Sequence, residues 1–208
     1  MRVLVACEFS GTVRDAFQAK GHDAWSCDLL PTERGGPHIQ GDVTSILAAG
    51  WDLMIAHPPC TYLTVSGNKW MKPEFAHRFP RRAEQREEAV AFFLALYNAP
   101  IPRVAVENPI GIMSTRFRKP DQVVQPWMFG HGETKATCFW LRGLSPLLPT
   151  HHKDGDLLTE AAPVERVQRL HLRPPSATRW AERSKTSPGI AAAMADQWGA
   201  LLPNECAS

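Results

Sequence analysis

Cys60 and Glu107 carry most of the chemical promise in this sequence. Cys60 closes the run His57-Pro58-Pro59-Cys60, and Glu107 opens Glu107-Asn108-Pro109. An ionised thiol is a strong nucleophile. Two prolines before it stiffen the backbone, so the sulfur is presented at a fixed angle, as attack on a flat ring requires. A carboxyl beside a ring nitrogen can share a proton with that ring, and burial is expected to raise its pKa towards that use. Both groups follow short apolar runs, residues 52–56 and 103–106. The loop Cys7-Glu8-Phe9-Ser10-Gly11 and Asp28 follow two more such runs. Asp28 falls about 20 residues after the first loop, where α/β proteins place an acid that accepts from ribose hydroxyls. The loop itself has one glycine and falls short of a GxGxxG phosphate cradle.

Those groups need a scaffold, and the hydrophobic pattern supplies one. Residues 2–6, 24–27, 52–56, 103–106 and 136–141 read as strands, most of them apolar enough to be buried on both faces. Between them, residues 13–19 have helical spacing and stop at Gly21; Asp42 is placed to cap a helix over 43–49; a long helix fits 81–97. Asn108-Pro109 reads as a turn that ends its strand at Glu107. A last helix fits about 188–202. Alternating strands and helices imply an α/β fold with a doubly wound, mostly parallel sheet, whose ligands lie outside the carboxyl ends of the strands. Every candidate group named so far stands at such an end.

The bulk properties narrow the setting. The chain has 208 residues, 44% hydrophobic and 21% charged, with a net charge of +2. That composition excludes disordered, collagen-like and coiled-coil chains. No run is long and apolar enough for a membrane helix, and the start shows no signal-peptide pattern. Five widely spaced cysteines without a CxxC pair make a poor disulfide framework and a poor zinc site, so a cytoplasmic protein without a metal is expected. Cys7, Cys27, Cys138 and Cys206 read as packing rather than as nucleophiles. Residues 163–187 hold six Lys/Arg, namely Arg166, Arg169, Arg173, Arg179, Arg183 and Lys185, against Glu165 and Glu182. Such a stretch is either a phosphate contact or a solvated surface. The chain therefore divides into a core over 1–142, a short irregular basic segment over 143–187, and a C-terminal helix over 188–208 that returns to the core.

The ordered set Phe9-Ser10-Gly11, Asp28, Gly41-Asp42, Pro58-Pro59-Cys60, Glu107-Asn108 and the segment starting Lys185-Thr186-Ser187-Pro188-Gly189 resembles the S-adenosylmethionine-dependent DNA cytosine-C5 methyltransferases, in particular the short phage and prophage type. The resemblance implies a Rossmann-like class I methyltransferase fold with a β-hairpin and a much reduced target-recognition region. It also implies S-adenosyl-L-methionine held by Cys7, Glu8, Phe9, Ser10, Gly11, Asp28, Leu29, Asp42, Val43 and Pro58. Catalysis would rest on Cys60 as nucleophile and Glu107 as proton donor, with Pro59, Asn108, Lys135 and Thr137 at the substrate. Where the family carries Gln-x-Arg-x-Arg, this chain has Glu133-Thr134-Lys135-Ala136-Thr137, and about 40 residues stand where a recognition domain usually lies.

By that resemblance the partner is DNA or a cytosine nucleotide, and a base in a duplex must be flipped out to reach the thiol. His57 stands next to the prolines, where it either leans on base or cofactor or serves the loop. Trp70 and Trp127 are aromatic enough to stack on a base, although core packing is their commoner use. Two other readings stay open: the same C5 chemistry on a free dCMP-type nucleotide, and a non-catalytic nucleic-acid-binding module on the same fold. Amino-group methyltransferases fit less well, because their Asp/Asn-Pro-Pro-Tyr/Phe is here His57-Pro58-Pro59-Cys60. Thymidylate-synthase-like enzymes normally follow the cysteine with His, where Thr61 stands.

Overall fold

The computed structural model describes residues 1–151 and 184–200. Strands β1 (Arg2–Ala6), β2 (Asp23–Asp28), β3 (His38–Gln40), β4 (Leu53–Ala56), β5 (Arg103–Pro109), β6 (Gln122–Val124) and β7 (Thr137–Arg142) form one sheet in the order β3-β2-β1-β4-β5-β7-β6. The first five are parallel; β7 runs antiparallel to both β5 and β6. Helices α1 (Thr12–Ala19), α2 (Arg82–Tyr97), α3 (Met113–Arg116) and α4 (Pro188–Gln197) complete the described elements. This is the doubly wound, mostly parallel α/β sheet that the strand–helix rhythm predicts.

Side-chain alternation explains the two layers. Val3 and Val5 of β1, with Leu53 and Ile55 of β4, pack with Val13 and Phe17 of α1 and Ile190 and Met194 of α4. Their neighbours Leu4, Ala6, Met54 and Ala56 pack on the other face with Val90, Phe93 and Leu96 of α2. A central strand covered on both faces has no polar side to show, hence the unbroken apolar runs. On β7, adjacent residues serve opposite layers. Phe139 meets Trp198 edge-on at 5.8 Å, and Trp140 meets Phe93 edge-on at 5.1 Å. Burying each of these rings is worth about 2–3 kcal/mol.

Four expectations are corrected. β5 does not turn at Asn108-Pro109 but continues through them, with Asn108 opposite Cys138 and Pro109 opposite Thr137. Its pairing with β4 ends at Val106, and a strand side without a neighbour tolerates proline. The helix expected over 43–49 is a single 3-10 turn, Val43–Ile46, which Asp42 does cap by accepting from the Thr44 amide at 2.9 Å. The last helix ends at Gln197; residues 201–202 and Cys206 lie outside the described residues, as do Arg166, Arg169, Arg173, Arg179 and Arg183. Strands β3 and β6, three residues each at the sheet edges, escape sequence reading because so short a run carries no periodicity.

Candidate functional site

From β1 the chain crosses to β2 on one side, while β4 lies on the other. This is the switch point at which an open sheet leaves a crevice beyond its carboxyl ends. The loop after β1 turns sharply, with Cys7 at a left-handed φ of 58° and Gly11 at 72°. A side chain at Gly11 would run into the Arg14 guanidinium. Glu8 is buried, and its carboxylate accepts from the Val13 amide (2.7 Å), the Arg14 amide (3.2 Å) and the Ser10 hydroxyl (3.1 Å). It therefore caps α1 and satisfies otherwise orphaned amides at the positive end of the helix. Arg14, fully buried, bonds Ser26, Thr32 and the Gly35 carbonyl, which folds the 29–36 loop back on the site.

The acids expected at a cofactor stand on the same sheet edge. Asp28 ends β2 and accepts from the Leu30 amide at 2.9 Å, and its carbonyl accepts from the Gly41 amide, which brings Asp42 close. Hydrogen bonds from Thr44 hold the Asp42 carboxyl below its usual range. Leu29 is 72% exposed beside Asp28. Val43, by contrast, packs into the α2-side core. Burial, together with the charges of Asp28 and Asp42, pushes the Cys7 thiol far up and that of Cys27 up to about 11. Burial and Glu107 push Cys138 up to about 11. These thiols are poor nucleophiles, in keeping with a packing role.

The centre of the site is a pair. His57 Nδ1 lies 2.9 Å from Glu107 Oε2, with the side chains 8% and 12% exposed. Burial works against ionising Glu107, but the His57 hydrogen bond and the nearby charges of Lys135 and His57 outweigh it and lower its pKa. This corrects the expectation of a raised value. An ionised Glu107 only accepts, so Nδ1 carries the proton of this bond. His57 Nε2 is buried and meets no hydrogen-bond partner among the described residues.

Two cavities flank the pair. One of about 300 Å³ is lined by Glu107, His131, Glu133, Lys135 and Thr137 on one side and Lys185, Thr186 and Ser187 on the other. A smaller one, about 40 Å³, is lined by Cys7, Glu8, Phe9, Ser10 and His57 and by residues 184–186. Lys185 thus borders both. Its Nζ pairs with Glu33 at 2.7 Å, and its carbonyl accepts from Lys135 Nζ at 3.3 Å.

Cys60 is exposed and lines neither cavity. Its loop is nonetheless anchored at several points. Asn108 donates from Nδ2 to the Pro58 carbonyl at 3.0 Å. The Ile112 amide donates to the Leu63 carbonyl at 2.8 Å, and Thr64 bridges to Gly111. Any Cβ at Gly111 would collide with the Leu63 carbonyl. From α2, Arg86 donates to the Tyr62 carbonyl at 3.1 Å.

The sheet thus gathers Cys7, Glu8, Phe9, Ser10, His57, Glu107, Lys135 and Thr137 around one pair of cavities. Pro59 and Cys60 are exposed, Pro58 is buried, and none of the three lines a cavity; Asp28, Leu29 and Asp42 stand on the same sheet edge, also outside both cavity walls. Sequence reasoning passes over Arg14, Arg86 and Gly111, and it does not pair His57 with Glu107. Arg14 leaves one trace, a charge beside Val13 and three residues before Phe17 on the apolar side of α1. Among the described residues no group of three or more His, Cys, Asp or Glu is placed to hold a metal. No described helix is long and apolar enough to cross a membrane.

Comparison with solved structures finds similar chains, one of them from a prophage. A crystal structure of an E. coli prophage protein, proposed to be a DNA modification methyltransferase, aligns with 68% of this chain at 15% identity and a TM-score of 0.43. The chain spans 46% of that protein's length. No protein-family model matches the sequence, and no curated protein matches it significantly. A likeness this loose says nothing about the reaction. The chemistry rests on the site.

Proposed function

We propose that this protein is an S-adenosylmethionine-dependent methyltransferase acting at C5 of cytosine, with Cys60 as nucleophile and Glu107 as the group that shares a proton with the base. The observation that carries the reading is the bond from Asn108 to the Pro58 carbonyl. It ties the Pro-Pro-Cys loop to the strand end that presents Glu107, so the two halves of the expected chemistry form one rigid unit.

The residues present suit the cofactor. The acids Asp28 and Asp42 suit ribose hydroxyls and an adenine amine, the exposed Leu29 suits an adenine face, and the buried Nε2 of His57 lies in the wall of the small cavity, in want of a polar partner. When bound, the cofactor supplies an electrophilic methyl group. The smaller cavity, about 40 Å³ and partly open to solvent, would take only part of such a molecule. Val43 is left out of the cofactor set because it is core.

This chain's own residues then act on the ring. The Cys60 thiolate adds to C6, which makes C5 nucleophilic, while a proton shared between Glu107 and N3 offsets the developing negative charge. Glu107 is ionised at rest, so that proton must come from elsewhere. The proton is taken up from solvent, and the hydrogen bond from His57 Nδ1–H, 2.9 Å away, holds the Glu107 carboxylate in position to relay it. Loss of the C5 proton and breakage of the C6–S bond restore the ring and the thiolate. The cavity of about 300 Å³ beside Glu107, Lys135 and Thr137 is within the range for a small ligand such as a single base.

The test is transfer of a labelled methyl group from S-adenosylmethionine to single-stranded DNA, duplex DNA and dCMP in parallel. Label at cytosine C5 that disappears in Cys60→Ala is expected. Because Cys60 is exposed, that variant should melt within about 2 °C of the parent. Absence of transfer to all three substrates would overturn the proposal. The same experiment separates polymer from free nucleotide as the substrate.

A further inference from the structure

Directly after Cys60 the chain leaves the sheet and winds through two 3-10 turns, Val65–Met71 and Pro73–Phe75, before α2 begins. Five cations fall between residues 61 and 83, with Glu74 as the only acid. Their roles divide cleanly. Arg81 pairs with Glu84 and Glu88, and Arg82 reaches the Thr61 carbonyl. Lys69, Lys72 and Arg78 are exposed and have no carboxylate within ion-pair distance among the described residues.

Lys69 and Arg78 are held by a small aromatic cluster, and Lys72 lies between them in the chain. Trp70 stands edge-on to Phe75 at 5.0 Å and to Phe79 at 5.3 Å. Lys69 Nζ lies 4.5 Å from the Trp70 ring centre, and the Arg78 guanidinium lies 5.4 Å from that of Phe79. Such contacts keep a cation on an apolar support at little entropic cost. With its faces and edges engaged, Trp70 is a support for charges rather than an open platform for a base. The arrangement suits a row of phosphates.

We propose that Lys69, Lys72 and Arg78 hold the phosphates of the DNA strand that carries the target base, so that the substrate is a polynucleotide rather than a free nucleotide. This rests on the cytosine reading for the place of Cys60. The charge complementarity stands without it. Cys60 and the patch belong to one loop pinned by Arg86 and Gly111, so a strand lying on the patch passes the thiol.

The experiment is fluorescence anisotropy of a labelled single-stranded 16-nucleotide DNA containing cytosine, titrated with the full chain at several salt concentrations and without cofactor. Affinity should fall steeply with salt. The variant Lys69→Glu/Lys72→Glu should lose at least tenfold in affinity at low salt, and its salt slope should be shallower by about 1.4, near 0.7 for each lost phosphate contact. Arg78→Gln, tested separately, should lose less but in the same direction. Lys119→Glu serves as control, since Lys119 follows Arg118, which contacts Leu141 at the far end of β7 from Thr137. Equal losses in the control, or unchanged affinity in the patch variants with native circular dichroism, would overturn the proposal. Patch-dependent binding without any methyl transfer would leave it standing and remove the cytosine reading alone.

Discussion

At the scale of single residues, the hydrogen bond between His57 and Glu107 makes them one coupled pair rather than two independent groups. Its sign can be worked out. The folded-state pKa of Glu107 lies below the ordinary value near 4.3, so the pair stabilises the fold above that value and loses its contribution as pH falls through the folded pKa. Glu107→Gln should therefore cost about 1–3 kcal/mol near pH 7, the range for a hydrogen bond to a charged group. The difference from the parent should shrink towards zero below about pH 4. Urea melts of both proteins across pH 3–8 would check this. A gap that stays constant through the acid range would mean that the carboxylate is not held by charge. The same pair explains why a raised pKa was the wrong expectation for Glu107. Burial alone predicts a neutral acid, and only the positions of His57 and Lys135 reverse it.

At the scale of elements, the loop that carries Cys60 works because other strands and helices hold it. Two of its anchors come from the continuation of β5 and its following turn, Asn108 and Gly111, and a third from α2. Gly111→Ala should be among the costlier single changes outside the core. Its Cβ meets a backbone carbonyl that cannot rotate away, and about 2 kcal/mol of lost stability is expected. Asn108→Ala should cost about 1–2 kcal/mol through the loss of its bond to the Pro58 carbonyl. Both should change the rate at which Cys60 reacts with a small alkylating reagent, because the loop gains freedom. Denaturant titration and timed alkylation would report the two effects separately. Undisturbed stability in Gly111→Ala would show that the crossing of the two loops has slack.

At the scale of the whole molecule, residues from both ends of the chain meet over one site. Lys185, next to the start of α4, pairs with Glu33 from the loop that Arg14 organises, and it lines the smaller cavity together with its neighbours. This ion pair is more than one-third exposed on both sides, so its own contribution is at most about 1 kcal/mol. Lys185→Ala should therefore barely shift the melting temperature of the protein alone. On the proposed function, S-adenosylhomocysteine should stabilise the parent by about 2.7 kcal/mol at a hundredfold excess over its dissociation constant, read as a higher melting point. A changed increment in Lys185→Ala would place the 184–186 crossing in ligand binding. An identical increment would confine it to packing.

The chain alone determined the strand–helix rhythm, since a strand buried on both faces must be apolar throughout and a helix repeats every three to four residues. It also determined that Cys7–Gly11, Asp28 and His57–Cys60 would stand at strand ends, because in an α/β fold the loops follow directly, whereas Glu107 lies within β5, one residue past the end of its pairing with β4. Short edge strands, the single 3-10 turn after Asp42 and the run of β5 through Pro109 were not legible, because each depends on a neighbour rather than on local pattern. The same holds for Arg14, which packs like a core residue while its charge is met by Asp15 and its remaining donors by Ser26 and the 29–36 loop. Which groups touch was decided in three dimensions alone. His57 meets Glu107 across 50 residues, and Asn108 grips Pro58 across the same gap, because parallel pairing of β4 with β5 brings their carboxyl ends level. No local periodicity encodes that register, which is set by packing both faces of the sheet at once.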